Sequence, residues 1–389
     1  MLILRAAYLF DGISSRLIEH PLVFVQDGVV TAIESGIEPP ADTPVLDLGD
    51  VTLLPGLIDA HVHLGFDAGP KPVANMVADD DATLILRMRH AATRALAAGI
   101  TTVRDLGDRR YLGGVLRDWF RAGVVEPGPE ILTAGPPITV TGGHCHFMGG
   151  EADGELEVRR AVRARVKNGV DVIKVMATGG HLTPGTNPQL PQYTVAELAA
   201  AVDEAHRLGR KLTAHAHGPA GIAVAVDAGV DGLEHCSFRV AGGRHAEPRL
   251  VDRIAEQQIA VCPTVGLAPG TVLRPESAAL VDGFVPILEQ MHRAGVRLVA
   301  GTDAGVAPGK PHDVLPYGIR VLAHAGMTNV EALRAATSVA AEACGIADRK
   351  GTLAAGKDAD ILAVGGDPLA NLDTLLEVRA VFRAGQRVL

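Results

Sequence analysis

Eight short apolar runs, most of them separated by helix-length amphipathic segments, constrain this chain more than any other feature of its sequence. They are LIDAHVHL (57–64), TTVRDL (101–106), EILTAG (130–135), DVIKVMAT (171–178), KLTAHAH (211–217), GLEHC (232–236), AVCPT (260–264) and RLVAGTD (297–303), called strands one to eight below. Each is nearly continuous in apolar character, as strands covered on both faces are. The intervening segments include DATLILRMRHAATRALAAG (81–99), TVAELAAAVDEAHRLG (194–209) and AALVDGFVPILEQMHRAG (278–295). They repeat apolar residues at helical spacing and end in Gly just before the next strand. Strands alternating with helices predict an α/β fold with a parallel sheet, and eight of them predict closure into a (β/α)8 TIM barrel over 56–351. A doubly wound open sheet is the competing arrangement, but it fits the count less well and no GxGxxG turn follows strand one.

The two ends of the chain read differently. LILRAAYLF, PLVFVQDGVVTAI and VTLLPG in the first 55 residues are short strands, with a turn at Asp27-Gly28. GTLAAGKDADILAVGG and LEVRAVFRAGQRVL near the C-terminus read the same way. The expected arrangement pairs 1–55 with 352–389 in one small β-sandwich domain flanking the barrel.

Composition removes several classes of function. The net charge of −9 argues against nucleic-acid binding, which needs a basic surface, and aromatics at 3% argue against base-stacking platforms. No apolar run is long enough for a membrane span. MLILRAAYLFDG lacks the basic, apolar and small-residue order of a signal peptide. Cys145, Cys236, Cys262 and Cys344 are scattered, without a CxxC pair, and read as small buried groups in a reducing, cytoplasmic protein. Against this background, 15 His stand out.

In a (β/α)8 barrel, chemistry gathers at the C-terminal ends of the strands. His61 and His63 lie two apart on strand one, so their imidazoles share a face. Strand five carries His215, strand six carries His235, and strand eight ends in Gly301-Thr302-Asp303. Imidazoles with a carboxylate form the donor set that Zn²⁺ and related metals favour. Lys174 lies inside apolar strand four, where an ammonium is costly unless paired or neutralised. It either snorkels outward between helices or is a neutral amine that captures CO₂ as a carbamate able to bridge two metals.

These residues resemble the amidohydrolase superfamily of metal-dependent hydrolases. The matching elements are PGLIDAHVHLG, Lys174, His215, His235 and Asp303 in GTDAG, together with GTLAAGKDADILAV as the closing segment of the small β domain. TTVRDLG, TVTGGHCH, IKVMATGGHLTPG, LTAHAHG and GLEHC resemble its prolidase-like branch, labelled Xaa-Pro dipeptidase or imidazolonepropionase-related. The resemblance implies that His61, His63 and Asp303 hold one divalent metal ion, Zn²⁺ by expectation, and that His215 and His235 hold a second. Carboxylated Lys174 and a hydroxide would bridge the two. Asp303 would take the proton of the attacking water and pass it to the leaving amine, one metal would polarise the scissile carbonyl, and His144 would further stabilise the carbonyl oxygen. His217, Arg104, His181 and His312 are expected at the mouth as substrate contacts, with His146, Arg239 and Lys310 as further candidates there.

The departures narrow the reading. Deaminases of the superfamily carry an acidic residue shortly after the strand-five His, and His215-Ala-His-Gly-Pro has none. Glu234 precedes His235 and should face away from it, and Glu130 opens strand three at the wrong end for a ligand. Lys174 argues against a one-metal imidazolonepropionase. Gly309–Pro316 departs from the prolidase-like pattern at a loop that lines the mouth. Gly179-Gly180 and Pro184-Gly185 bracket a turn-rich loop, read as a lid or a tight connection. The expected function is hydrolysis of an amide C–N bond in a dipeptide or N-acyl amino acid by a binuclear metal-dependent enzyme. The alternatives are hydrolysis of a lactone, carbamate or organophosphate ester at the same centre, or a catalytically silent binding module. A small-molecule substrate and a homo-oligomer are expected, without nucleic acid or membrane.

Overall fold

The structure is a computed structural model that describes residues 1–40, 43–273 and 275–389. All eight core strands are present: Leu57–Val62, Ile100–Asp105, Glu130–Thr133, Ile173–Met176, Leu212–Ala216, Gly232–His235, Ala260–Cys262 and Arg297–Leu298. Every pairing among them is parallel. Strands one to six are buried at every position, which explains why they read as apolar runs rather than alternating ones.

The ladder falls into a sheet of strands one to three and a sheet of strands four to eight. At one seam the chain beyond strand three, not strand three itself, pairs with strand four. The Ile138 N–H donates to the Lys174 carbonyl and the Met176 N–H to the Ile138 carbonyl, both at 2.8 Å. Pro136 and Pro137 interrupt the ladder before this point because neither has an N–H to donate. At the other seam Ala60 N–H donates to Ala300 O at 3.1 Å, and Asp303 N–H to His61 O at 2.7 Å. These bonds hold the segment carrying Asp303 against strand one.

The helices follow local rules. Asp80 caps the helix Asp81–Ala97, its side chain accepting from Thr83 N–H at 2.7 Å. That helix buries Leu84, Ile85, Met88, Ala92 and Ala95, one stripe at helical spacing. It stops before Gly99, whose φ of +81° suits the position following a helix. Thr194 and Glu197 form a capping box at the start of Val195–Arg207. The segment 278–295, which reads as one helix, is split into Pro275–Asp282 and Val285–Arg293. Gly283 weakens the first helix, and Pro286, without an N–H, sits in the first turn of the second.

The terminal segments form two further sheets. One has the order Val29–Ser35, Pro21–Gln26, Leu2–Arg5, Val45–Asp47, with Asp27 and Gly28 at positive φ in its hairpin turn. The other has the order Gln386–Arg387, Val378–Arg383, Ile361–Gly365, Val51–Pro55, Tyr8–Leu9, Ile18–Glu19, so both ends of the chain share it. Its residues alternate between two cores. Leu53, Ile361 and Ala380 join Leu4, Val23 and Val25 of the first sheet, while Leu54, Leu362 and Val381 pack with Leu96 and Ile100 of the alternating α/β region. Period-two alternation thus fastens the terminal sheets to the strand-helix core.

Glu130, at the N-terminal end of strand three, completes the attachment. Its carboxylate accepts from Arg349 Nη2 at 2.8 Å and lies 3.2 Å from Lys350 Nζ and 3.4 Å from Arg383 Nη2. Lys350 also reaches Asp360 at 2.5 Å and Asp358 at 3.0 Å. Burial raises the Glu130 pKa, but its three cations outweigh that and hold it down at about 2. No described helix is long and apolar enough to cross a membrane.

Candidate metal centre

His61 and His63 project from strand one toward Asp303. His61 Nε2 lies 3.3 Å from His63 Nε2, and each of these atoms lies 3.3 Å from Asp303 Oδ1. Three donors on an equilateral 3.3 Å triangle match one face of a tetrahedron around a cation about 2.0 Å from each, the usual zinc–nitrogen and zinc–oxygen distance. The other ring nitrogens are occupied. His61 Nδ1 donates to Glu234 Oε2 at 2.7 Å, and His63 Nδ1 to the Gly107 carbonyl at 3.3 Å. Such acceptors orient an imidazole and leave Nε2 free for a metal. Burial raises the Asp303 pKa, but His61 and His63 outweigh it and hold the carboxyl well below the usual range, ionised as a ligand must be.

A second donor group lies alongside. His215, His217 and His235 bring one ring nitrogen each within 4.8 Å of the others. His215 Nε2 donates to Gly179 O at 3.0 Å, while His235 Nδ1 pairs with Thr264 Oγ1 at 2.8 Å and His217 Nδ1 with Ser237 Oγ at 2.9 Å. The His61 and His235 rings are 5.2 Å apart, so the two groups adjoin. Burial depresses the pKa of His215 and His235, keeping them neutral and able to ligate.

Lys174 is 2% exposed and points inward, not out between the helices. No ion pair among the described residues joins it. Burial lowers its pKa, favouring the neutral amine. A charge on it would lower the pKa of His63, His144, His215 and His235 alike.

His144 is buried with its ring centroid 4.6 Å from that of His215, and its Nδ1 has no partner among the described residues. A Cβ on Gly180 would come within 2.3 Å of the His144 ring, so only glycine leaves room for it. Burial lowers the His144 pKa to about 3, so it is a neutral imidazole near pH 7. His181, His217, Arg239 and Lys310 line a cavity of about 900 Å³ that opens beside His235. His146 is exposed on a short 3-10 turn.

Two residues expected at the mouth are elsewhere. Arg104 is buried beneath the donor groups, with Nε donating to Ala60 O at 2.7 Å and Nη2 to Glu234 Oε1 at 2.9 Å. Its charge is paired with Glu234 beneath the donor groups and not presented at the mouth. His312 is also buried, its Nε2 donating to the His63 carbonyl at 3.1 Å. Burial lowers its pKa to about 4.

Glu234 is a third correction. It was expected to face away from the site because residues alternate along a strand. His235 has φ of +65°, so extended alternation ends there. Glu234 points inward beneath His61, and His235 also turns inward, above it. Thr213 Oγ1 donates to Glu234 at 2.6 Å, and Arg104 and His61 help to keep its pKa low despite burial. Sequence reasoning also missed Asp59, which accepts from Thr302 N–H at 3.0 Å and Thr302 Oγ1 at 2.7 Å. It clamps strand one to the turn that carries Asp303. The available signal was its spacing two residues before His61, on the same face. His324, given no role from sequence, also lines the cavity. His235, Cys236, Phe238, Thr264 and Asp303 all hold positive φ without being glycine, a concentration of backbone strain typical of working sites.

Residues 52–388 match the amidohydrolase family. The chain is 32% identical over 367 residues to an ochratoxinase of Aspergillus niger, covering 85% of this chain and 73% of that one. Its structure resembles that of a Xaa-Pro dipeptidase with methionine bound in the active site, at a TM-score of 0.88, 29% identity and 99% coverage of both chains. It also resembles a prolidase complexed with N-methylphosphonate-L-proline, at a TM-score of 0.87 and 27% identity, covering 100% of this chain and 99% of that one. With the family match running from the last strand before the donor groups almost to the C-terminus, this chain belongs to the amidohydrolase family and is an enzyme.

Proposed function

We propose that this enzyme is a binuclear metal-dependent hydrolase that cleaves the amide bond of an N-acyl amino acid or dipeptide. The same reading divides the chain into a closed (β/α)8 barrel over 56–351 and a small β-sandwich domain of 1–55 with 352–389. The observation that carries it is the 3.3 Å triangle of His61, His63 and Asp303, set against a second histidine group, with Lys174 buried on the strand next to that of His215. Similarity to an ochratoxinase and to proteins described as a Xaa-Pro dipeptidase and a prolidase supports the amide preference.

Two divalent cations, Zn²⁺ by expectation, would lower the pKa of a water and polarise the scissile carbonyl. His61, His63 and Asp303 would hold one, and His215 and His235 the other. Neutral Lys174 Nζ would add CO₂ to give a carbamate and one proton, supplying two oxygens to both groups. Asp303 Oδ1 faces the two Nε2 atoms, which leaves Oδ2 to accept the proton of the attacking water and return it to the leaving nitrogen. His144 is neutral, so the N–H it keeps can be directed at the carbonyl oxygen as negative charge develops.

Metal analysis of purified enzyme together with a substrate panel tests this. About two metal equivalents per chain and hydrolysis of N-acyl amino acids or dipeptides are expected. Rates confined to lactones, carbamates or organophosphate esters would overturn the amide assignment. Absence of tightly held metal after reconstitution would overturn the whole mechanism.

A further inference from the structure

Beyond strand six the chain forms a short antiparallel pair, Arg239–Val240 with Gly243–Arg244, whose register sets Arg239 directly opposite Arg244. Like charges directly opposed across a ladder destabilise it. Neither guanidinium has a carboxylate partner among the described residues. Arg244 is held by neutral groups instead. Its Nε donates to Leu280 O at 3.0 Å and its Nη1 to Ser237 O at 2.8 Å, and it lies 4.5 Å over the Phe284 ring. Arg239 Nη1 meets His181 Nε2. The Nη2 atoms of both arginines carry no hydrogen bond among the described residues. Two half-buried arginines therefore stand at facing positions of one ladder with donors to spare.

Their position ties them to the reactive end. The Arg239 N–H donates to His217 O at 2.9 Å, and the His217 ring stacks on His235 at 4.7 Å. Both arginines line the 900 Å³ cavity together with His217 and His235. Other cations of the cavity are already engaged: Arg320 pairs with Asp373 at 2.9 Å, and Lys310 Nζ donates to the Thr264 and Thr302 carbonyls at 2.8 and 2.6 Å. Asp282 lines the cavity as well, but pairs with neither Arg239 nor Arg244. Much of the remaining wall is apolar, including Phe284, Leu288, Val265 and Val321.

We propose that Arg239 and Arg244 form a receptor for the substrate's carboxylate, and that the substrate is an N-acyl amino acid bearing a large apolar group. Guanidinium forks match a carboxylate in geometry and charge, and bound carboxylate would relieve the opposition between the two arginines. The apolar wall offers burial to the rest of the molecule. Asp282 is the one carboxylate named in the wall against two arginines, so the cavity favours a substrate whose charge is its carboxylate, which ranks an N-acylated substrate above a dipeptide. The assignment rests on the amide-hydrolase reading above.

Calorimetric titration of the metal-loaded enzyme with N-benzoyl-L-phenylalanine and with its neutral carboxamide, alongside product analysis, tests it. The acid is expected to bind about 10- to 100-fold more tightly than the carboxamide, the range for hydrogen bonds to a charged group. In Arg239→Gln and Arg244→Gln that preference should shrink toward unity, and Arg244→Lys should restore part of it. A merely structural role for the hairpin would weaken both ligands together and leave the ratio unchanged. Equal affinity of the wild type for acid and carboxamide, binding of neither, or an unchanged ratio in the Gln variants overturns the receptor. Selective binding of the acid without any amide hydrolysis upholds the receptor and overturns the hydrolase reading instead.

Discussion

The two ends of the strand set hold buried charge on opposite terms. At the N-terminal end of strand three, Glu130 meets Arg349, Lys350 and Arg383, and Asp358 and Asp360 complete the network, so each of these three cations has a carboxylate. At the C-terminal end, Lys174 is buried without an ion pair among the described residues, and Arg239 opposes Arg244. One end spends its charges on fastening the terminal sheets to the core. The other leaves donors and cations uncompensated, a state that is costly in an empty site and useful once ligands arrive. The lesson is that burial of charge alone does not mark a functional site.

This contrast is open to direct attack. The largest expected effect is at the C-terminal end: Asp303→Asn should lower kcat by about 10²–10⁴-fold, the usual scale for loss of an acid–base group, with the circular dichroism spectrum unchanged. Wild-type turnover in that variant would remove Asp303 from the chemistry. Next, Glu130→Ala should lower unfolding free energy by about 3–5 kcal/mol, because it leaves Lys350 buried with fewer partners. Its kcat, assayed well below the unfolding midpoint, should stay close to that of the wild type. A loss of kcat with unchanged stability would invert the roles assigned to the two ends.

Glu234→Gln tests the join between the ends, since Glu234 lies beneath His61 and above the structural layer. Metal affinity should fall about 10- to 100-fold, read by competition with a chelator. An unchanged affinity would make Glu234 a structural residue only. The last test is a pH dependence. The folded-state pKa of Glu130, about 2, lies below its ordinary value of 4.5. Its contribution is therefore complete above about pH 5 and is lost as pH falls from 4.5 toward 2, on the order of 3 kcal/mol in all. Glu130→Gln should show a shallower acid limb in chemical denaturation, and parallel limbs would show that this carboxylate is not depressed.

Much of the strand-helix core was legible in the sequence because burial on both faces writes itself as continuous apolar runs, and helices between them end at glycines. The split of 278–295 was missed because the apolar spacing runs on through Gly283, while Pro286 quietly restarts the helix. The principal donors were legible because residues two apart on a strand share a face. That rule works while the chain is extended. It failed at Glu234 and His235, where a positive φ ends the alternation. Arg104 and His312 were sent to the mouth by residue type alone, and nothing local signals that partners 130 and 249 positions away would engage them below it.

The sequence by itself determined the order of strands and helices, the two β-rich ends, and the kinds of side chain offered at the strand termini, since these depend on period and neighbours along the chain. Only the tertiary structure decided which of those side chains converge, which are consumed as supports, and that Arg239 faces Arg244. Such outcomes rest on contacts between distant segments and on single backbone dihedrals, and a local pattern of residues specifies neither.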